Sequence, residues 1–267
     1  MKKVLISGAS RGIGRATALF LAERGYTVVG TSRDPSKYHG LEEGNVTYVA
    51  MDVNRSTSVR KGVKNAAKIM GGIDVLINNA GISHVTPFEE TSERDGRMIM
   101  ETNFFGLAAV IREAIPFLRK SDNGLIINIS SLGGIMGIPF QSYYVASKYA
   151  VEGLSESIRM ELKSQGIQVV LIEPGNIRTE IGKHRLYPRK VGAPYQKTYS
   201  IVRDIVDSTV DEAEPPEIIA KLIHKILQKK NPGVRYPAGK GSRMISFLIR
   251  VLPQKITERL LLNYYNL

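Results

Sequence analysis

The chain has 267 residues, no cysteine, 43% hydrophobic and 23% charged residues, and a formal charge of +12. That length suits one large domain with a modest tail, and the lack of cysteine excludes a disulfide framework, a thiol nucleophile and a thiolate metal site. So strong a basic excess would ordinarily point to nucleic acid, but nine of the twelve net charges fall in residues 219–267, where ten Lys and Arg face Glu258 alone. The excess belongs to the tail, and apart from Phe247, Tyr264 and Tyr265 few aromatics interleave with its bases. No nucleic-acid partner is therefore expected. No apolar run reaches the ~18–20 residues of a spanning helix. Met1-Lys2-Lys3 leads directly into Val4-Leu5-Ile6 without the apolar stretch of a signal peptide. A soluble, cytoplasmic protein is expected.

In chain order, residues 4–7, 27–31, 46–51, 75–78, 124–130 and 168–173 form short apolar runs that read as strands. Between them, 13–24, 56–70, 92–120 and 141–164 carry helical length and period. Strands alternating with helices predict an α/β domain built on a doubly wound parallel sheet, with ligands gathered at the strands' carboxyl ends. Residues 182–216 break the rhythm with four prolines and three tyrosines. A segment so long without a firm element is read as a substrate-covering piece, with a short helix near 200–208. Residues 215–229 return to helix, and 236–267 form the tail.

Gly8-Ala9-Ser10-Arg11-Gly12-Ile13-Gly14 follows the first strand and opens the first helix. Glycine suits that place because the backbone must turn tightly and approach a pyrophosphate without a Cβ in the way, with helix N–H groups aimed at the anion. Further on, Tyr144 and Lys148 stand at an i, i+4 step, which on a helix puts phenol and ammonium on one face. A nearby cation favours phenolate and would make the tyrosine a workable acid and base. The same spacing recurs at Tyr236 and Lys240, where Pro237 and Gly239 make a helix improbable, so spacing alone carries little weight. Tyr143 is five residues from Lys148 and points elsewhere. The four histidines, His39, His84, His184 and His224, lack metal-ligand spacing. Ser131 lacks the G-x-S-x-G elbow of a serine hydrolase. No metal is expected.

The spacing of the glycine loop, Asn78-Asn79-Ala80-Gly81, Asn103, Ser130-Ser131, Tyr144-Val145-Ala146-Ser147-Lys148, and Pro174-Gly175 with Thr179 together resemble the short-chain dehydrogenase/reductase family over residues 2–180. Ser7 stands where the family usually has threonine, and a hydroxyl is kept. The resemblance implies a single Rossmann-type domain over 1–267, with residues 2–180 as the cofactor and catalytic core. It implies Asn103, Ser131, Tyr144 and Lys148 as the catalytic set: Tyr144 as acid/base, Ser131 holding the substrate oxygen, and Lys148 also holding the nicotinamide ribose. Asn103 would support a water that relays protons past Lys148. The serine-to-tyrosine spacing of the family selects Ser131 over Ser130. The implied cofactor residues are Gly8, Ser10, Arg11, Gly12, Ile13 and Gly14 of the loop, Arg33, Asp52 and Val53 (the last two beside the adenine), Asn79, Ala80, Gly81, Tyr144, Lys148, Pro174, Gly175, Ile177, and Thr179 at the nicotinamide amide. Ser32 occupies the family's position for an acid that binds both ribose hydroxyls, and Arg33 follows it. With Arg11, these cations favour a 2′-phosphate, hence NADP, while Asp34 weighs against it.

The apolar run 133–140 lies beside the carbonyl site and suggests a hydrophobic alcohol or ketone of steroid, retinoid or fatty-chain type, as for hydroxysteroid and retinol dehydrogenases. Packing against a second subunit would use the same composition. The run Lys183-His184-Arg185 with Arg189-Lys190 is either an attractor for acidic substrates or a solvated loop. The expected function is reversible hydride transfer between NADP(H) and a secondary alcohol or carbonyl. The alternative is a dinucleotide-binding regulator without physiological turnover. The family implies a homodimer or homotetramer. In the tail, Met244, Ile245, Leu248, Val251 and Leu252 share a helical face beside Arg243 and Arg250, and Pro253 interrupts before 254–262. Two destinations stay open for it: an anionic membrane surface, or protein, whether its own substrate site or a partner subunit.

Overall fold

The computed structural model describes residues 1–38, 45–179, 185–211 and 213–267. Seven parallel strands form one sheet in the order β3-β2-β1-β4-β5-β6-β7. They are β1 (Lys3–Ser7), β2 (Thr27–Ser32), β3 (Val46–Ala50), β4 (Val75–Asn78), β5 (Leu125–Ile129), β6 (Gln168–Pro174) and β7 (Arg235–Ala238). Successive side chains point to opposite faces, so one strand feeds two cores. Leu5, Leu76 and Ile126 pack beneath α2 (Ser56–Met70), α4 (Gly106–Leu118) and α5 (Ser142–Glu161). Val4, Ile6, Ile77 and Ile127 pack on the other side, where α1 (Gly12–Ala22) and α7 (Glu217–Leu227) lie together. Strands buried on both faces explain why these runs are continuously apolar rather than alternating.

The strand order reverses beside β1, which pairs with β2 on one side and β4 on the other. A crevice opens outside the carboxyl ends at such a reversal. The glycine loop and Asn79-Ala80-Gly81 both emerge there.

The structure departs from the sequence expectations in three places. The helix expected over 92–120 is broken into α3 (Glu93–Met100), a π-helical turn (Glu101–Phe105) and α4. The extra residue per turn shifts the helix register at Asn103; such turns gather at functional sites. Residues 235–238, counted with the tail, form β7 along β6, and Pro237 is tolerated because the strand lies at the sheet edge. The repeated Tyr-x-x-x-Lys spacing at Tyr236 thus lies on a strand. In the cover, the short helix near 200–208 is the longer α6 (Gln196–Asp211). Its Tyr199, Val202 and Val206 pack with Val85 and with Tyr265 from the end of the tail.

The tail folds as α8 (Ser242–Val251) and α9 (Gln254–Tyr264), separated by Pro253. Arg250 of α8 reaches back to Glu173, which is fully buried at the end of β6, at 2.6 Å. Arg235 of β7 meets the same carboxylate at 3.3 Å, meets Glu152 of α5 at 3.1 Å, and also pairs with Glu156. A buried carboxylate is tolerable only when so paired. The network ties the tail to the helix that carries Tyr144 and Lys148.

Candidate active site

A cavity of about 860 Å³ runs from the glycine loop, across the ends of β4 and β5, to the tail. Its first end is built of backbone. Gly8 has φ +64°, and a Cβ there would lie 2.8 Å from Ala80 Cα. A Cβ on Gly14 would lie 2.3 Å from the Gly8 carbonyl oxygen. Both positions therefore require glycine. The Asn79 side chain donates to the carbonyls of Ser7 (3.2 Å) and Gly8 (2.9 Å), and the Ser7 hydroxyl accepts from the N–H groups of Asn79 (3.0 Å) and Ala80 (3.2 Å). The hydroxyl that replaces threonine at Ser7 thus locks β1 to the turn after β4.

At the start of α1 no side chain caps the helix and no acid occupies the first turn. Its first turn, with the positive end of the helix dipole, lies at the part of the cavity lined by Ser10, Arg11, Gly12 and Ile13. Ser32 and Arg33 line the same end. The Asp34 carboxylate accepts from Ser36, and its N–H donates to Ser32 Oγ at 3.2 Å. Asp52 and Val53 line the wall next to them, with the Asp52 carboxylate accepting from Asn54 N at 3.1 Å. A bare-backbone cradle and an uncapped helix start fit the pyrophosphate of a nicotinamide dinucleotide.

Ser131, Tyr144 and Lys148 meet at the middle of the cavity. Ser131 follows β5, where its Oγ accepts from Gly133 N at 3.1 Å and stands beside the Tyr144 phenol. Lys148, one turn along α5 from Tyr144, is 6% exposed and donates to the Ile129 carbonyl at 2.9 Å. Its Nζ is 5.8 Å from the centre of the Tyr144 ring. Burial lowers the Lys148 ammonium to about 8, and Glu152 one turn further on opposes that shift. Burial pushes the Tyr144 phenol above its ordinary value, against the Ser131 hydrogen bond and the charge of Arg185. A nearby cation would by itself lower the phenol. In this structure desolvation outweighs the neighbouring charges, so Tyr144 is held as a proton donor.

Asn103 stands behind the wall on the π-helical turn. Its amide accepts from Ile82 N at 2.8 Å and donates to the Ile82 carbonyl and to Ser147 Oγ, both at 2.9 Å. That clamp fixes Gly81-Ile82 against α5. Tyr143 turns the other way, stacked on Phe88 with ring centres 5.9 Å apart. Gly96 of α3 leaves room for that ring, since a Cβ there would come within 2.6 Å of it. Pro174, Gly175, Ile177 and Thr179 complete the wall after β6.

The far end is apolar and was only partly foreseen. Met136 and Ile138 come from the predicted run, while Ile245, Leu248, Ile249 and Leu261 come from the tail. Their helical period was visible in the sequence, but not which surface they would meet. The inner face of the tail lines this end of the cavity, while its outer face, with Met244, Phe247 and Val251, is exposed. Arg185 was missed as a cavity residue: its side chain is 6% exposed, donates to Asp207 at 2.9 Å and faces Tyr144 and Tyr265. Its neighbours Lys183 and His184, and also His39, lie outside the described residues.

Residues 2–188 match the model of the short chain dehydrogenase family. The chain is 40% identical over 238 residues to a 3-ketodihydrosphingosine reductase of Bacteroides thetaiotaomicron, covering 88% of this chain and 87% of that one. It is 38% identical over 186 residues to an NADPH-dependent pterin aldehyde reductase of Arabidopsis thaliana, covering 67% and 76%. Among solved structures, a short-chain dehydrogenase from Streptomyces avermitilis superposes with a TM-score of 0.84 at 29% identity, covering 100% of this chain and 96% of that one.

Proposed function

Because this chain belongs to the short-chain dehydrogenase family and is an oxidoreductase of alcohol or carbonyl groups, we propose that it uses NADPH to reduce a ketone on a long-chain, lipid-like substrate. The observation that carries the reading is the meeting of Ser131, Tyr144 and Lys148 midway between a phosphate-binding cradle and an apolar chamber. Of the steroid, retinoid and fatty-chain classes, the last is favoured by the similarity to a 3-ketodihydrosphingosine reductase and by the aliphatic tail residues around the chamber.

NADPH held at the glycine loop would supply a hydride to the carbonyl carbon. Ser131 donates a hydrogen bond to the carbonyl oxygen and orients it. As that oxygen gains charge, Tyr144 delivers its phenolic proton there, so the product is a neutral alcohol. Lys148 as ammonium stabilises the phenolate left behind. Asn103 and Ser147 keep the helix and the Gly81 turn in register, and Asn103 would hold a water that relays protons past Lys148. The exposed Phe105, Tyr149 and Met160 on the π-helical turn and α5 support a homodimer or homotetramer.

Reduction needs Lys148 charged. Its ammonium titrates near 8, so kcat/KM for ketone reduction is expected to fall as pH rises through about 8. Glu152 raises that value, and its removal weakens the ammonium. Glu152→Gln should therefore move the alkaline limb to lower pH, as read from initial rates across a pH series. An unmoved limb would show that Lys148 does not set it.

Cofactor choice rests on Ser32, Arg33 and Arg11. Placing a carboxylate at Ser32 and removing the guanidinium in Ser32→Asp/Arg33→Ala should lower kcat/KM with NADPH relative to NADH by about ten- to hundredfold, the loss of a charged hydrogen bond or two. Wild-type preference for NADH would refute this assignment. The regulator reading predicts nucleotide binding with no turnover of any ketone.

A further inference from the structure

We infer that the α8–α9 hairpin docks flat on an anionic membrane surface and opens the substrate chamber toward the lipid. Ile245, Leu248 and Ile249 of α8 face the chamber, and Ser242 and Ser246 are buried behind them. The opposite arc, Met244, Phe247 and Val251, is 64%, 64% and 61% exposed, with Arg243 at its edge. On α9, Ile256, Leu260 and Tyr264 make a second exposed stripe at i, i+4, i+8. Leu260 and Tyr264 also line the chamber, so the outer apolar surface continues through its rim into the interior.

Single exposed apolar side chains need no explanation, but two adjoining stripes on consecutive helices do. Charge identifies the occupant. From residue 240 onward five Lys and Arg stand against Glu258, and Lys240, Arg243, Lys255 and Arg259 are exposed around the stripes. The fifth, Arg250, is bound to Glu173 and holds the hairpin on the sheet. Apolar residues flanked by bases suit the boundary between acyl chains and anionic headgroups. No helix among the described residues is long and apolar enough to cross a membrane, so the hairpin lies on the surface. Docking in this way is independent of which ketone is reduced, and would let a lipid pass into the chamber without crossing water.

The test is co-sedimentation of the full chain with vesicles of phosphatidylcholine containing phosphatidylserine, and with vesicles of phosphatidylcholine alone, without substrate. The wild type should pellet with the anionic vesicles and be released by high salt. Met244→Glu/Phe247→Glu should lose at least about tenfold in partitioning while keeping its far-ultraviolet circular dichroism and its reduction of a small soluble ketone. Arg243→Gln and Lys255→Gln, which cannot disturb the fold through burial, should each weaken partitioning about fivefold. Wild-type protein left in the supernatant, or pelleting that ignores the anionic lipid, would overturn the inference. So would a changed particle mass for Met244→Glu/Phe247→Glu in light scattering, which would make this face an interface between copies.

Discussion

Tyr144→Phe is expected to lower kcat for ketone reduction by about 10²–10⁴-fold, the usual worth of a positioned acid. Binding of NADPH, followed by quenching of its fluorescence, should change by no more than a few-fold. The two effects separate because the substitution removes one oxygen and keeps the ring that packs beside Gly133 and the serine loop. The lost oxygen is the one beside Ser131, and burial holds it protonated in the structure. The variant therefore lacks the proton donor while the cradle of Gly8, Gly14 and Asn79 stays intact. Unchanged turnover would remove Tyr144 from the mechanism. A comparable loss of NADPH binding would assign it to the cofactor instead.

The second large effect concerns stability. Arg235→Ala withdraws the cation shared by Glu152, Glu156 and the fully buried Glu173. Glu173 would keep Arg250, but Glu152 would lose the arginine paired with it inside the domain. Breaking a buried pair from one side costs about 3 kcal/mol or more. For a domain of this size that lowers Tm by roughly 6–12 °C. Arg235→Lys should recover part of it, since one ammonium cannot reach three carboxylates as a planar guanidinium does. Calorimetry on the three proteins checks the ranking. Equal Tm values for Arg235→Ala and wild type would mean that the network carries no net stability. Because Glu152 also supports Lys148, the alanine variant should show an altered alkaline limb as well.

The sheet was legible because its strands are buried on both faces and so appear as uninterrupted runs such as Val4-Leu5-Ile6 and Leu125-Ile126-Ile127. β7 was not, because Arg235-Tyr236-Pro237-Ala238 has no apolar run: it is an edge strand whose register comes from pairing with β6. The break in the helix over 92–120 falls at Glu101–Phe105, which holds neither glycine nor proline, while Gly96 and Pro116 lie within helix; it reflects tertiary packing, with Asn103 pulled onto Ile82 and Ser147, and Gly106 allowing Val53 to approach. Residues 8–14 announced a nucleotide loop through their glycines, and Tyr144 with Lys148 announced an acid/base pair through the helix on which they sit. The sign of the Tyr144 shift was not legible, since spacing reveals a nearby cation but not the desolvation that outweighs it. Arg185 illustrates the same limit: one arginine among several in a basic stretch becomes a cavity residue only once α6 supplies Asp207.

Reduction of a carbonyl at the Ser131–Tyr144–Lys148 centre, with hydride from a bound nicotinamide, is the activity we propose. It is tested most directly by incubating the enzyme with a long-chain 3-ketone and NADPH deuterated at its transferable position, then analysing the product by mass spectrometry. The expected product is an alcohol with one deuterium on the carbinol carbon, formed by wild type and nearly absent with Tyr144→Phe. NADPH that binds with no deuterium reaching any ketone would contradict it and leave a nucleotide-binding protein without turnover.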